Sequence, residues 1–186
     1  MKDLRELVSW LETRGEVAHV TREVDSEYEL TSVAKAIHEK YGKAVFFEKV
    51  KGSEFPVVTY ALNSREAITT ALNMEPERMV HQWSEREERQ SPYHVVESGA
   101  VQEVVDYDPD ITKLPLCLHS DGNNGRYITG GVLVAKHPEL NLMNASFNRC
   151  QLVGPKKLRV RMMPPQHLGQ FHAAAEQQGK PLEVAI

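Results

Sequence analysis

Cysteine is nearly absent: Cys117 and Cys150 are the only two in 186 residues. Two thiols cannot build a disulfide scaffold or a CxxC zinc site, and they suit a reduced, cytoplasmic setting. Long apolar runs are missing as well. None approaches the roughly 20 residues that a membrane helix needs, so no membrane span is expected. The opening Met1-Lys-Asp-Leu-Arg-Glu6 lacks the apolar core of a signal peptide. There is no excess of positive charge: 22 Lys and Arg stand against 26 Asp and Glu, a net charge of −4. That argues against a general nucleic-acid binder and leaves only a local basic patch open. Internal repeats and low-complexity segments are also lacking. What remains is globular composition, 41% hydrophobic and 26% charged, with 11 Gly and 10 Pro. The length suits one domain, or one domain plus part of another.

The chain reads as alternating helices and strands. Asp3 can cap a first helix, with Leu4, Leu7, Val8 and Leu11 on one face and Gly15 near its stop. Val17–Val20 suits a short strand. Leu30, Val33, Ala34 and Ile37 predict a helix over 29–41, ended by Gly42. Strands follow at 44–47 and 56–60, then a helix capped by Ser64 and a charged helix over 76–90. From Pro92 the character changes. Valines at 95, 96, 101, 104 and 105 predict a hairpin. Segments 127–136, 142–153 and 158–163 read as strands, and 166–178 as a helix entered by Pro164-Pro165. An α/β or α+β module results.

Eight histidines invite a metal hypothesis. His19, His38, His81 and His94 have no ligand-like neighbours at telling spacing, and His137 precedes a proline. His167 and His172 are five apart, about 140° around a helix, so they cannot share a face as an HExxH pair does. The loop His119-Ser-Asp-Gly-Asn-Asn-Gly125 is neither a Walker A loop nor GxGxxG; it fits a surface turn or a ligand-approaching loop. In Asn141–Arg149, Met143, Ala145 and Phe147 alternate with Asn144, Ser146 and Asn148. A face of small amides and hydroxyls, followed by Arg149, suits ligand or metal-phosphate contact, or else an edge strand with a polar face. Arg159 and Arg161 can likewise share one face, for phosphate or for solvent.

In order along nearly the whole chain, four places resemble the N-terminal part of the UbiD-type decarboxylases, the 3-polyprenyl-4-hydroxybenzoate carboxy-lyases. They are Asp3–Leu7 with Gly15-Glu16; Asp110-Ile-Thr-Lys-Leu-Pro115 with His119; Tyr127-Ile-Thr-Gly-Gly131; and Asn144–Arg149 with Gln151, Gly154 and Pro165-Gln-His167. The resemblance implies an α+β architecture: an N-terminal α/β domain over 1–110, then over 111–186 the first part of a split β-barrel that binds prenylated FMN. It implies prenylated FMN, Mn²⁺ and K⁺ as cofactors. The metal would be held by Asn144, His167 and a Glu, and a hard cation accepts such an oxygen-and-imidazole set. Thr129, Asn144, Ser146, Phe147, Asn148, Arg149, Gln166 and His167 would contact the cofactor. Arg149 would be the catalytic arginine, gripping a substrate carboxylate.

The implied reaction is reversible, non-oxidative decarboxylation of aromatic or α,β-unsaturated acids. Its implied partners are a small carboxylic acid, a flavin prenyltransferase that supplies the cofactor, and a further copy or a complementing chain. In the family, the third metal ligand and the carboxylates that partner Arg149 and deliver the proton lie beyond the position of Ile186. Glu176 and Glu183 do not occupy those places. The expectation is therefore an incomplete enzyme, inactive alone. The alternatives are a small subunit of a split decarboxylase, or a non-catalytic flavin-binding, metal-binding or interaction module. Leu182–Ile186 reads as a strand of a sheet continued elsewhere, so residues 120–186 are expected to be covered by another chain or to self-associate.

Overall fold

The structure is a computed structural model that describes every residue except Lys2, Gln90 and Tyr93. It divides into two compact units, Met1–Asp108 and Pro109–Ile186.

In the first unit, helix α1 (Leu4–Thr13) starts where the Asp3 side chain accepts a hydrogen bond from the Glu6 amide. Its apolar stripe delivers Leu7 and Leu11 to a core shared with Ala44. Strand β1 (Val17–Val24), helix α2 (Glu29–Tyr41) and strand β2 (Ala44–Val50) form a parallel crossover unit, and β3 (Val57–Thr59) adds antiparallel to β2. Gly42 ends α2 at φ 66°, a left-handed position that suits glycine. Ser64 caps α3 (Arg65–Ala71) by accepting from the Ala67 amide.

Two expectations need correction. The charged helix predicted over 76–90 begins as a 3-10 turn at Pro76–Arg78 and becomes helix α4 over Met79–Glu88; Gln90, its predicted last residue, lies outside the described residues. The hairpin predicted around 95–105 is not formed. Only a 3-10 turn at Ala100–Gln102 appears among the described residues there. Val95, Val101 and Val104 are 87, 90 and 88% exposed. β-branched residues favour strands only when a neighbouring strand and a half-buried face receive them, and these valines have neither.

The second unit is a four-stranded antiparallel sheet in the order β6-β5-β4-β7, with one helix against it. The strands are β4 (Tyr127–Lys136), β5 (Met143–Gly154), β6 (Lys157–Val160) and β7 (Val184–Ala185). Helix α5 (His167–Gln177) sends Leu168 and Phe171 into a core with Leu133, Ala135 and Cys150. β6 pairs only with Cys150–Gly154 of β5, so the stretch Asn144–Asn148 is paired on one side, with β4, and the edge-strand reading stands for it beside the ligand reading.

Candidate functional site

Alternation along β5 separates two faces. Asn144, Ser146 and Asn148 are half-buried, on the side where Cys150 enters the α5 core; Met143, Ala145, Phe147 and Arg149 are exposed on the other. The small polar stripe therefore lies on the helix-covered side, and Arg149 points away from it.

On the covered side, Ser146 organises both amides. Its Oγ accepts from Asn144 Nδ2 at 3.1 Å and from Asn148 Nδ2 at 3.0 Å. With its nitrogen occupied in this way, Asn144 turns Oδ1 toward His167, whose Nδ1 lies 3.2 Å away. His167 is the first residue of α5, and Gln166 precedes it as the helix cap. Gly169 lets the helix reach this place: a Cβ there would lie 2.3 Å from the carbonyl oxygen of Met163. Asn144, Ser146, Phe147, Gln166 and His167 line one depression of about 310 Å³. His172 faces elsewhere and pairs with Glu176 at 3.4 Å.

A carbonyl oxygen and an imidazole nitrogen that converge beside a helix N-terminus fit a hard cation carrying an anionic ligand. They supply two donors. No group of three or more His, Cys, Asp or Glu able to hold a metal occurs among the described residues.

On the open side lies a larger cleft of about 680 Å³. Thr129 and Arg149 line it, brought together by a bulge. Ile128 pairs with Cys150 and Gly131 with Asn148, so Thr129 and Gly130 stand opposite Arg149 alone. A Cβ at Gly131 would meet Ile128, Asn148 and Cys150 at 3.3–3.5 Å, so the bulge closes tightly against the core. Arg159 and Arg161 line the same cleft, with His119 and Asn124 from the 119–125 loop. Gln151 Nε2 donates to the Asn124 carbonyl and ties that loop to β5. Cys117 also lines the cleft; burial pushes its thiol up against a smaller opposing effect of Arg126, so it offers no thiolate near neutrality.

The eight residues singled out from the sequence thus divide between two places. Thr129 and Arg149 lie in the open cleft, and Asn144, Ser146, Phe147, Gln166 and His167 in the depression. Asn148 reaches the second group through its bonds to Ser146. Arg159, Arg161 and the 119–125 loop were legible only as open alternatives, because a shared face becomes a site only when another element closes over it.

Comparison with known proteins bears on the family and the fold. Residues 8–87 match the 3-octaprenyl-4-hydroxybenzoate carboxy-lyase N-terminal domain. Residues 93–186 match the Rift-related domain of the same family. The anhydromevalonate phosphate decarboxylase of Methanosarcina mazei is 31% identical over 182 residues, which are 98% of this chain and 41% of that protein. The evolved dimeric form of the UbiD-class enzyme HmfF from Pelotomaculum thermopropionicum, solved with prFMN, superposes with a TM-score of 0.89 at 32% identity, over 99% of this chain and 43% of that one. The vanillic acid decarboxylase of Sedimentibacter hydroxybenzoicus, in closed form, gives a TM-score of 0.87 at 26% identity, over 99% and 42%. The chain therefore spans about two fifths of the length of these relatives. No helix among the described residues is long and apolar enough to cross a membrane. With the Rift-related match alone covering half of its residues, the chain belongs to the UbiD carboxy-lyase family.

Proposed function

We propose that this chain carries the cofactor-phosphate and substrate-carboxylate halves of a prenylated-FMN-dependent (de)carboxylase site for aromatic or α,β-unsaturated carboxylic acids. The observation that carries the reading is the convergence of Asn144 Oδ1 and His167 Nδ1, 3.2 Å apart, on a strand whose opposite face sends Arg149 into the open cleft. HmfF, solved with prFMN, and the decarboxylases among the relatives support it.

In this reading Asn144 and His167 are two ligands of a Mn²⁺ ion that neutralises the flavin phosphate, with K⁺ as a second, monovalent cofactor. Ser146 and Asn148 hold the Asn144 amide in place. The first turn of α5, entered through Gln166, presents unpaired backbone N–H groups and a positive dipole end to the same phosphate. Phe147 and Thr129 border the flavin. Bound prenylated FMN supplies the electron sink for decarboxylation. Arg149 binds the substrate carboxylate through its planar fork and fixes its orientation. The third metal ligand, the carboxylate partner of Arg149 and the proton donor come from outside these 186 residues. A flavin prenyltransferase supplies the cofactor. The site belongs in the cytoplasm, where thiols stay reduced.

The test is Mn²⁺ binding by the purified chain, followed by electron paramagnetic resonance with FMN as the phosphate source. Wild type is expected to bind Mn²⁺ more tightly with FMN than without it, and N144A and H167A to lose that gain. Equal Mn²⁺ affinity in wild type and both variants would overturn the assignment. Supplied with prenylated FMN, Mn²⁺ and K⁺, the 186 residues alone are expected to release no CO₂ from an aryl or acrylic acid. Release of CO₂ would refute the incompleteness.

A further inference from the structure

The turn that joins β4 to β5 is held by a histidine outside both candidate pockets, and only Met143 separates that turn from Asn144. His137 Nδ1 accepts from the Glu139 amide at 3.1 Å and from the Leu140 amide at 3.0 Å. Its own amide donates to the Leu142 carbonyl at 2.8 Å. Backbone amides can only donate, so Nδ1 must meet them with its lone pair. The ring is thereby fixed as the neutral tautomer with its proton on Nε2. An imidazolium, or the other tautomer, would set N–H against N–H.

The same ring reaches α5. It meets Phe171 edge to face, with centroids 5.0 Å apart and planes at 83°. Phe171 lies one helical turn beyond His167, and those two rings are nearly parallel, 6.4 Å apart and 14° inclined. Farther along the helix, Gln178 Nε2 donates to Glu139 Oε1 at 3.0 Å, so the turn is fastened to α5 at a second point. His137 therefore stands on both routes to the candidate metal pair. One runs through the turn to the strand that carries Asn144; the other runs through Phe171 to the helix that carries His167.

A turn that needs only a cap does not require histidine. Asn and Asp supply a side-chain acceptor to the same amides and are the usual residues there. The imidazole adds an aromatic body behind the acceptor, and that body contacts Phe171. We propose that His137, as its neutral Nε2–H tautomer, is a positioning residue for the Asn144–His167 pair. It sets the start of β5 through the Glu139 and Leu140 amides and the first turn of α5 through Phe171. The proposal rests on the metal-holding role proposed for that pair and extends it to a residue outside the depression.

Two measurements test it. Imidazole nitrogen–proton correlation spectra of the purified wild-type chain at about pH 8 are expected to show His137 with a bare Nδ1 and a protonated Nε2. A protonated Nδ1 would overturn the proposal, and this reading needs neither a metal nor a substitution that must fold. The second measurement is FMN-linked Mn²⁺ affinity. H137A is expected to lose about ten-fold, as is common for groups that orient a ligand. H137N restores the acceptor without the ring and is expected to fall between H137A and wild type. Wild-type affinity in H137A, or an H137N no tighter than H137A, would overturn the proposal. Failure of the underlying reading looks different: N144A and H167A would then leave the FMN-linked gain unchanged, whereas failure of the His137 proposal alone leaves their losses in place.

Discussion

Ser146 does its work with one oxygen. Its hydroxyl takes hydrogen bonds from both flanking amides, and this leaves Asn144 Oδ1 free to face His167. Removing the hydroxyl frees the Asn144 side chain to rotate. S146A is therefore expected to weaken FMN-linked Mn²⁺ binding by about ten-fold, as is common for groups that orient a ligand, with S146T retaining most of it. A Mn²⁺ titration of the three proteins decides this. Alternation made the polar trio visible in the sequence, but not the hierarchy within it, because hydrogen-bond direction depends on which neighbours arrive from elsewhere. Asp110 shows the same dependence. Its carboxylate accepts from the Thr112 hydroxyl at 2.5 Å and the Thr112 amide at 2.9 Å, and these bonds hold it below the usual carboxylate range. The lowered value means the contribution is present above the ordinary value near 4 and fades as the pH falls through the lower, folded one. Urea midpoints of wild type and D110A are expected to differ at pH 7 and to converge toward pH 3.

Helix α5 is the element on which the candidate metal site turns. It was legible in the sequence from two prolines at its entry and Gly179 after its end, and the structure adds the stripe of Leu168, Phe171 and Ala175 that it buries. Its closeness to the preceding segment was not, since a helical glycine carries no periodic signal. The side chain that Gly169 lacks would strike the Met163 carbonyl at 2.3 Å, and backbone cannot yield there as a flexible side chain can. G169A must therefore lift the first turn of α5 off that segment and carry His167 away from Asn144. We expect a stability loss of about 1–3 kcal/mol together with loss of FMN-linked Mn²⁺ binding. By contrast, L133A opens a cavity in the same core from β4, outside both candidate pockets, at about 2–5 kcal/mol. It should keep metal binding at temperatures where it remains folded. Thermal melts paired with Mn²⁺ titrations separate the two. The failed hairpin at 95–105 marks the opposite limit: valine content alone does not place a strand where no sheet receives it.

At the scale of the molecule, the second unit exposes the face that its sequence pattern marks as apolar. Alternation on β5 shows two faces but cannot say which is covered, and α5 takes the polar one. Val132 and Phe147 are cross-strand partners, with Met143 further along β5, and they are 39, 79 and 49% exposed. Apolar side chains grouped this way on an open sheet seek cover. A net charge of −4 spread over 186 residues offers little repulsion against it. The purified chain is therefore expected to self-associate, with a sedimentation coefficient that rises over a concentration series. Val132 and Met143 lie outside both candidate pockets, so the V132T/M143T double variant should move the equilibrium toward monomer while FMN-linked Mn²⁺ binding persists. A complementing chain that covers this face would suppress association in the same way, and would do so for wild type. A wild-type chain that sediments as a single monomer at every concentration would show that this face needs no partner.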